Sequence, residues 1–385
     1  MYESDYQSQP SAEVAVNYLE RRVRELLEPS GIQINGPKPW DLQVYDQRFF
    51  RRVLVQGSLG LGETYMDGWW EAERLDEFFS RLLATRIKTN HRFLSHVFTW
   101  LKARALNLQS MRRAFKVGEA HYDLGNDIYT AMLDRRMVYT CAFWRDVETL
   151  EEAQQQKLDM VCRKLHLQPG MRVLDIGCGW GSFAKYAAET YGVEVVGITV
   201  SKEQIELGSQ LCEGLPVELR LQDYRDTSEK FDAVVSLGMF EHVGHKNYRT
   251  FMEVVSRSLR PEGLCVLQTI GKNDSRPGVD PWIAKYVFPN GEIPSLRQIS
   301  AACENLLVIE DVHNFGADYD KTLMAWFRNF DAAWPELQGN YSARFYRLWK
   351  YYLQSCAGAF RSRDLQLWQL VISAGIRADG YHRPL

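Results

Sequence analysis

The stretch that most constrains this chain is Val173-Leu-Asp-Ile-Gly-Cys-Gly-Trp-Gly181, an apolar run that stops abruptly in three alternating glycines. A short β-branched and apolar run suits a strand buried on both faces of a parallel sheet. Glycines at 177, 179 and 181 let the backbone turn sharply and come close to a ligand, because no Cβ stands in the way. The stretch therefore reads as the first strand and turn of a doubly wound, Rossmann-like α/β domain. The ligand expected at such a turn is a nucleotide.

Spacing narrows the choice of nucleotide. A dinucleotide fingerprint needs its third glycine at position 182, where this chain has Ser182. Gly-x-Gly-x-Gly preceded by Asp175 resembles instead motif I of the S-adenosylmethionine-dependent methyltransferases. The resemblance implies that Val173, Leu174, Asp175, Ile176, Gly177, Cys178, Gly179, Trp180 and Gly181 pack against the aminoacyl end of that cofactor, with Asp175 orienting the glycine loop.

The following pattern agrees with such a domain. Strands are expected at residues 193–198, 217–221, 233–236 and 264–269, with helices between them, which implies a parallel sheet with crossovers. In most methyltransferases of this class an acidic residue at the end of the second strand holds the ribose hydroxyls. Here that strand carries no carboxylate at its tip, and Thr199 and Gln204 are the expected substitutes, since a hydroxyl and an amide bond neutral hydroxyls without charge. The third strand ends in Leu221-Gln-Asp-Tyr224, placing Gln222 and Asp223 to meet the adenine edge.

At 385 residues the chain exceeds one average domain. The expected division is a smaller, mostly helical domain over 1–110, a connector over 111–120 and the catalytic domain over 121–385. Within the first part, 12–28 reads as an amphipathic helix, 32–34 as strand-like, 57–62 as a glycine-rich loop, and the segment through Leu75, Phe78, Phe79 and Leu82 as a helix. A polar helix is expected over 150–166. Hydrophobic content of 45% excludes a disordered chain. Seven scattered cysteines with no Cys-x-x-Cys pair point to reduced thiols in the cytoplasm and to no metal site. No apolar run approaches the roughly 18 residues that span a bilayer.

Net charge is only −3, but its distribution is uneven: the 38 residues from Arg81 to Gly118 contain no acid and carry nine lysines and arginines. Over 90–108 the pattern is a helix with Phe93, Leu94, Val97, Phe98 and Leu101 on one face and basic residues on much of the rest. Such a helix suits the headgroup layer of an anionic membrane. Nucleic acid is the weaker alternative, because no RNA-binding signature is present and the pI is about 6.3.

Several blocks then resemble one family in the right order. They are Gly57-Ser-Leu-Gly-Leu-Gly-Glu-Thr-Tyr-Met-Asp-Gly-Trp-Trp70, His121-Tyr-Asp-Leu-Gly-Asn126, Gly238-Met-Phe-Glu-His-Val-Gly244, Lys285-Tyr-Val-Phe-Pro-Asn-Gly291, Asn314-Phe-Gly-Ala-Asp-Tyr319 and Cys356-Ala-Gly-Ala-Phe360. The chain is similar, from about residue 40 to about residue 372, to the cyclopropane-fatty-acyl-phospholipid synthases. The resemblance implies a homodimeric peripheral membrane enzyme, at the inner face of the membrane, that adds a methylene group across a cis double bond of an acyl chain in unsaturated phospholipid. It adds Tyr139 and Thr140 at the methionine end of the cofactor. It also implies a bound bicarbonate as the base, held by Cys141, Glu241, Tyr319 and the backbone of Ile270.

That chemistry fits the residue types. An isolated olefin is a poor nucleophile, so methyl transfer generates a carbocation, which aromatic faces stabilise by roughly 0.5 to 2 kcal/mol each. Tyr319, Tyr286, Phe288 and Trp144 are the candidates. Glu241 beside an anion requires that the pair share a proton. Where the family usually has histidine, this chain has Gln268, which donates a hydrogen bond but does not titrate near neutrality. Cys356 matches a cysteine of the family; nothing around it lowers a thiol pKa, and a structural role is expected. Two alternatives follow: an acyl-chain methyltransferase that stops before ring closure, and an inactive lipid-binding homologue.

Overall fold

A computed structural model describes residues 12–88, 125–375 and 380–384 of the chain. The amino-terminal part contains α1 (Ala12–Leu27), β1 (Gln43–Val44), α2 (Arg48–Gln56), α3 (Ser58–Met66), β2 (Trp70–Glu71) and α4 (Leu75–Lys88). The expected helices at 12–28 and through Leu75 are present. The strand-like run 32–34 contributes only an isolated bridge from Ile34 to Leu42.

The glycine-rich stretch 57–62 is not a loop: it is helical from Ser58 onward, as α3. Its glycines serve close packing. A Cβ at Gly62 would lie 2.3 Å from Trp282 Cδ1, and one at Gly60 would lie 2.5 Å from the Arg52 carbonyl oxygen. Only Gly57, at φ 59° between α2 and α3, uses glycine's conformational freedom.

The remainder runs α5 (Asn126–Met132), α6 (Leu150–Lys164), β3 (Arg172–Ile176), α7 (Ser182–Tyr191), β4 (Glu194–Thr199), α8 (Lys202–Leu211), β5 (Val217–Leu221), β6 (Phe231–Leu237) and α9 (Tyr248–Ser258). It continues with β7 (Leu259–Lys272), α10 (Pro281–Tyr286), α11 (Leu296–Cys303), β8 (Val308–Asn314), α12 (Ala317–Leu337), α13 (Ala343–Arg361) and β9 (Leu365–Ser373). The helix α6 begins with a capping box, in which Thr149 accepts from the Glu152 amide and Glu152 reaches back to Thr149.

Seven strands form one sheet in the order β5-β4-β3-β6-β7-β9-β8. From β5 to β7 all neighbours are parallel, while β9 runs antiparallel to both β7 and β8. The five parallel strands match those expected; β8 and β9 lie beyond them. Alternation sorts the side chains. Leu174, Ile176, Val196 and Ile198 pack on one face with Phe251 and Met252 of α9 and Ile299 of α11. Val173, Val195, Ala233 and Val235 pack on the other with Leu158 and Val161 of α6 and Phe183 of α7.

A third core is aromatic and joins distant parts of the chain. Phe49, Phe50, Phe78 and Phe79 from α2 and α4 share it with Trp326 of α12 and with Trp349, Tyr351, Tyr352 and Phe360 of α13. The expected basic helix at 90–108 and the connector at 111–120 lie outside the described residues. Among the described residues, no helix is long and apolar enough to cross a membrane.

Candidate functional site

The glycine turn sits where the sequence places it, at the carboxyl end of central strand β3. Gly177, Gly179 and Gly181 have φ of 81°, 57° and 79°, a region side chains rarely adopt. Space adds a second reason at Gly177, whose Cβ would lie 2.6 Å from that of Met239. Nothing stands within 4 Å of a Cβ at Gly179, so the turn is open there. Behind it, Asp175 is buried, and its Oδ2 has no hydrogen-bond partner. Burial pushes the Asp175 carboxyl up to about 7, although the nearby Lys157 opposes the rise. A buried carboxylate oxygen without a partner suits a cationic ligand group, and S-adenosylmethionine carries both an ammonium and a sulfonium.

The other expected cofactor residues gather along the same edge of the sheet. Thr199 Oγ1 donates to Gln204 Oε1 at 2.7 Å, and the Gln222 amide donates to the Thr199 carbonyl at 2.9 Å. Asp223 is adjacent, its two oxygens held by the Arg225 guanidinium at 2.8 and 2.7 Å. A carboxylate with both oxygens so occupied still has lone pairs for an exocyclic amine.

Tyr139 and Thr140 lie across the end of β6, where the Thr140 methyl would sit 2.8 Å from a Cβ on Gly238. Their placement comes from α6. Gln154 Nε2 donates to the Thr140 carbonyl at 2.9 Å, and Lys157 Nζ donates to Thr140 Oγ1 at 2.9 Å. Both α6 side chains are buried, and desolvation brings the Lys157 ammonium down to about 8. Tyr139 is further fixed by a 2.9 Å hydroxyl contact with Tyr352 and by ring contacts with Tyr129 and Trp326. Sequence reasoning missed Gln154, Lys157 and Tyr352. The available signal was that residues 154 and 157 share the helical face of Leu158 and Val161.

Next to this segment lies a second set of groups. Glu241 Oε1 accepts from the Ile270 amide at 2.6 Å, while Glu241 Oε2 is buried without a partner. Burial raises the Glu241 carboxyl to about 7, the Ile270 hydrogen bond acting against that rise. Tyr319 stacks on Phe360 with ring centroids 4.4 Å apart, and its hydroxyl is raised by burial and by Cys141, Glu241, Tyr139 and Cys356 nearby. The Cys141 thiol is buried and pushed well above its usual range, as a donor to the Ala142 carbonyl. Burial pushes the Cys356 thiol up to about 12.

Gln268 Oε1 accepts from Gln369 Nε2 at 2.8 Å on the neighbouring strand β9, so its carbonyl end is engaged there. Of the aromatic candidates, Tyr286 donates to Glu63 at 2.8 Å and is committed there, and the Trp144 indole donates to Thr322 at 2.9 Å. Phe288 faces Tyr352, centroids 5.9 Å apart.

The sheet order, the glycine turn on β3 and the polar ends of β4 and β5 define a methyltransferase that uses S-adenosylmethionine. Comparison with known proteins makes the assignment finer. The family described as mycolic acid cyclopropane synthetase matches residues 109–370, and the chain belongs to that family. It is 57% identical over 358 residues to a cyclopropane-fatty-acyl-phospholipid synthase of Escherichia coli, covering 92% of this chain and 94% of that one. A probable fatty acid methyltransferase of Pseudomonas putida is 42% identical over 68% of this chain and 70% of its own. Among solved structures, the Mycobacterium tuberculosis cyclopropane synthase MmaA2 superposes with TM-score 0.64 at 31% identity, covering 67% of this chain and 98% of its own. A mycolic acid cyclopropane synthase, CmaA1, complexed with S-adenosylhomocysteine, gives 0.63 at 32%, covering 67% and 98%.

Proposed function

We propose that this enzyme is a cyclopropane-fatty-acyl-phospholipid synthase that adds a methylene across a cis double bond of phospholipid acyl chains. The observation that carries this is Glu241: a buried carboxyl raised to about 7, one oxygen fixed by Ile270 and the other free, in an environment of phenol and thiol. The likeness to the E. coli synthase over almost the whole of both chains supports it.

S-adenosylmethionine, when bound, supplies an electrophilic methyl group. On transfer the methyl–sulfur bond would break with its pair left on sulfur, the π pair of the lipid double bond would form the new carbon–carbon bond, and the positive charge would pass to the neighbouring chain carbon. Tyr139, Tyr319 and Trp326 form an aromatic surround that favours such a cation. Cys141 and Tyr319 remain protonated at neutral pH, so neither presents the cation with an anionic nucleophile. Loss of one proton from the new methyl frees its C–H pair to close the ring.

Bicarbonate beside Glu241 would supply the base. The groups fit a small oxyanion because Glu241 near 7 holds a shared proton, Tyr319 offers an O–H donor, and the Cys141 S–H would turn to it from the Ala142 carbonyl. The Ile270 amide is engaged by Glu241, so its hydrogen bond is shared with the anion or released to it. The same proposal includes association of the basic segment 81–118 with the inner face of the membrane, a homodimer, and a division between residues 1–110 and 121–385.

The test is incubation of the enzyme and S-adenosylmethionine with vesicles of cis-unsaturated phospholipid, followed by S-adenosylhomocysteine assay and lipid mass spectrometry. A one-carbon gain that resists hydrogenation is expected. A reducible product would point to methyl transfer without ring closure, and no S-adenosylhomocysteine would leave only lipid binding. Reversing Arg112 and Arg113 to Glu is expected to weaken binding to anionic vesicles while leaving S-adenosylhomocysteine affinity intact; unchanged vesicle binding would remove the surface assignment.

A further inference from the structure

A line of buried polar side chains crosses the sheet from α6 towards the carboxyl end of β7. Lys164 Nζ donates to Gln369 Oε1 at 2.8 Å and lies 3.1 Å from His313 Nδ1. Gln369 Nε2 donates in turn to Gln268 Oε1 at 2.8 Å. Lys164, Gln369 and Gln268 are each at most 1% exposed. Two residues further along β7, Ile270 holds Glu241.

The order of donors along this line is forced by its first member. An ammonium has no lone pair and only donates, so Gln369 must turn its carbonyl to the charged form of Lys164, which burial brings down to about 7. That leaves the Gln369 NH2 facing Gln268, which must answer with its own carbonyl. The Gln268 NH2 is then the free end, with no acceptor for it among the described residues. Without a donor at 164 the two amides lose their reason to keep this orientation, and both can flip together. Gln268 would then present a carbonyl, which repels an anion.

We propose that Lys164 is a positioning residue that acts through Gln369 to hold Gln268 with its NH2 group, not its carbonyl, towards the oxyanion and Glu241 at the ring-closing site. The inference rests on the methylene-transfer function proposed above. It assigns a role to the histidine-to-glutamine departure at 268: a glutamine replaces a donor imidazole only if its flip is controlled. Charged and titratable groups around Lys164 are His313 and Asp311 of β8 and Arg383 near the carboxyl end. His313 stays neutral through burial and the adjacent Lys164, and so serves as a second acceptor for the lysine.

The experiment measures cyclopropane formed per S-adenosylhomocysteine released, on cis-unsaturated phosphatidylglycerol vesicles. A general loss of structure lowers both quantities together, whereas a misoriented Gln268 lowers their ratio, because the cation instead loses a proton from a chain carbon and leaves a methyl-branched olefin. Lys164→Met and Gln369→Leu are each expected to lower the ratio by about tenfold, with the binding constant for S-adenosylhomocysteine unchanged. In a Gln268→Leu background, which has no amide to orient, Lys164→Met is expected to add no further loss.

A ratio unchanged in folded Lys164→Met, or losses that multiply in the double variant, would overturn the proposal. Should Lys164→Met fail to bind S-adenosylhomocysteine, Gln369→Leu decides by the same ratio and the same cycle with Gln268→Leu. Wild-type enzyme that releases S-adenosylhomocysteine but forms no ring would overturn the proposed function itself, which separates the two failures.

Discussion

Glu241 has two oxygens with different fates, and its chemistry follows from that difference. One accepts the Ile270 amide; the other is buried and unpartnered, which is costly unless a proton or a ligand completes it. Glu241→Gln keeps the shape and the Ile270 acceptor but cannot share a proton. It is expected to bind S-adenosylhomocysteine normally and to lose on the order of 10²-fold or more in ring formation. Isothermal calorimetry and lipid mass spectrometry on the same preparation check both halves.

The raised carboxyl also has a consequence for stability. Between its ordinary 4.5 and about 7, Glu241 keeps its proton in the native state and loses it in the unfolded chain. Its contribution is therefore fully present below pH 4.5 and is lost as pH rises through 7. Denaturation midpoints of wild type and Glu241→Gln, compared at pH 5 and 7.5, are expected to shift in the variant's favour at the higher pH. A gap independent of pH would refute the assignment.

At the scale of elements, close approach of helices explains glycines that a turn does not. Gly358 in α13 faces α4: a Cβ there would lie 2.6 Å from Phe79 Cβ and 2.7 Å from both the Asp76 carbonyl oxygen and the Ser80 amide nitrogen. Alanine for glycine inside a helix gains up to about 1 kcal/mol of propensity. Overpacking against backbone that cannot swing aside costs about 1–3 kcal/mol. The second effect wins, so Gly358→Ala is expected to destabilise by about 1 kcal/mol or more in chemical denaturation, whereas Gly339→Ala, with nothing within 4 Å, stays near wild type.

The same contrast shows what the sequence discloses. The strand β3 and its turn were legible because a double-sided apolar run followed by glycines has few other uses. Stretch 57–62 was not, because glycine there marks a contact with Trp282 and with the Arg52 carbonyl, both set by tertiary packing. Likewise α6 reads as a polar helix from composition, yet Gln154, Lys157 and Lys164 are buried in it. Their partners Thr140 and Gln369 lie 14 or more residues away, so the helical face they share with Leu158 and Val161 marks them as inward-facing but does not show what they bond. Strands β8 and β9 were missed because each pairs antiparallel at the end of the sheet, outside the alternation of strand and helix that identifies the rest.

The whole molecule is held across its length by the aromatic core and by ion pairs that join the same elements. Arg361 of α13 contacts Asp320 of α12 at 2.8 Å and Asp76 of α4 at 2.7 Å. Buried Glu63 of α3 accepts from Lys285 and Tyr286 of α10, and these bonds hold its carboxyl down at about 2 against desolvation. Cutting the chain between amino-terminal helices and catalytic sheet would thus expose Trp326, Trp349 and Tyr351 and leave Asp76 without its Arg361 partner. Two modules linked only by a connector would unfold separately; modules that share a core unfold together. Scanning calorimetry of the full chain is therefore expected to give a single transition over the described parts, with calorimetric and van 't Hoff enthalpies in agreement. Arg361→Met is expected to lower that one transition without splitting it. Two resolved transitions in the wild type would mean that the aromatic core joins units stable on their own, and the placement of the substrate site by α12 and α13 would then have to be independent of α2 to α4.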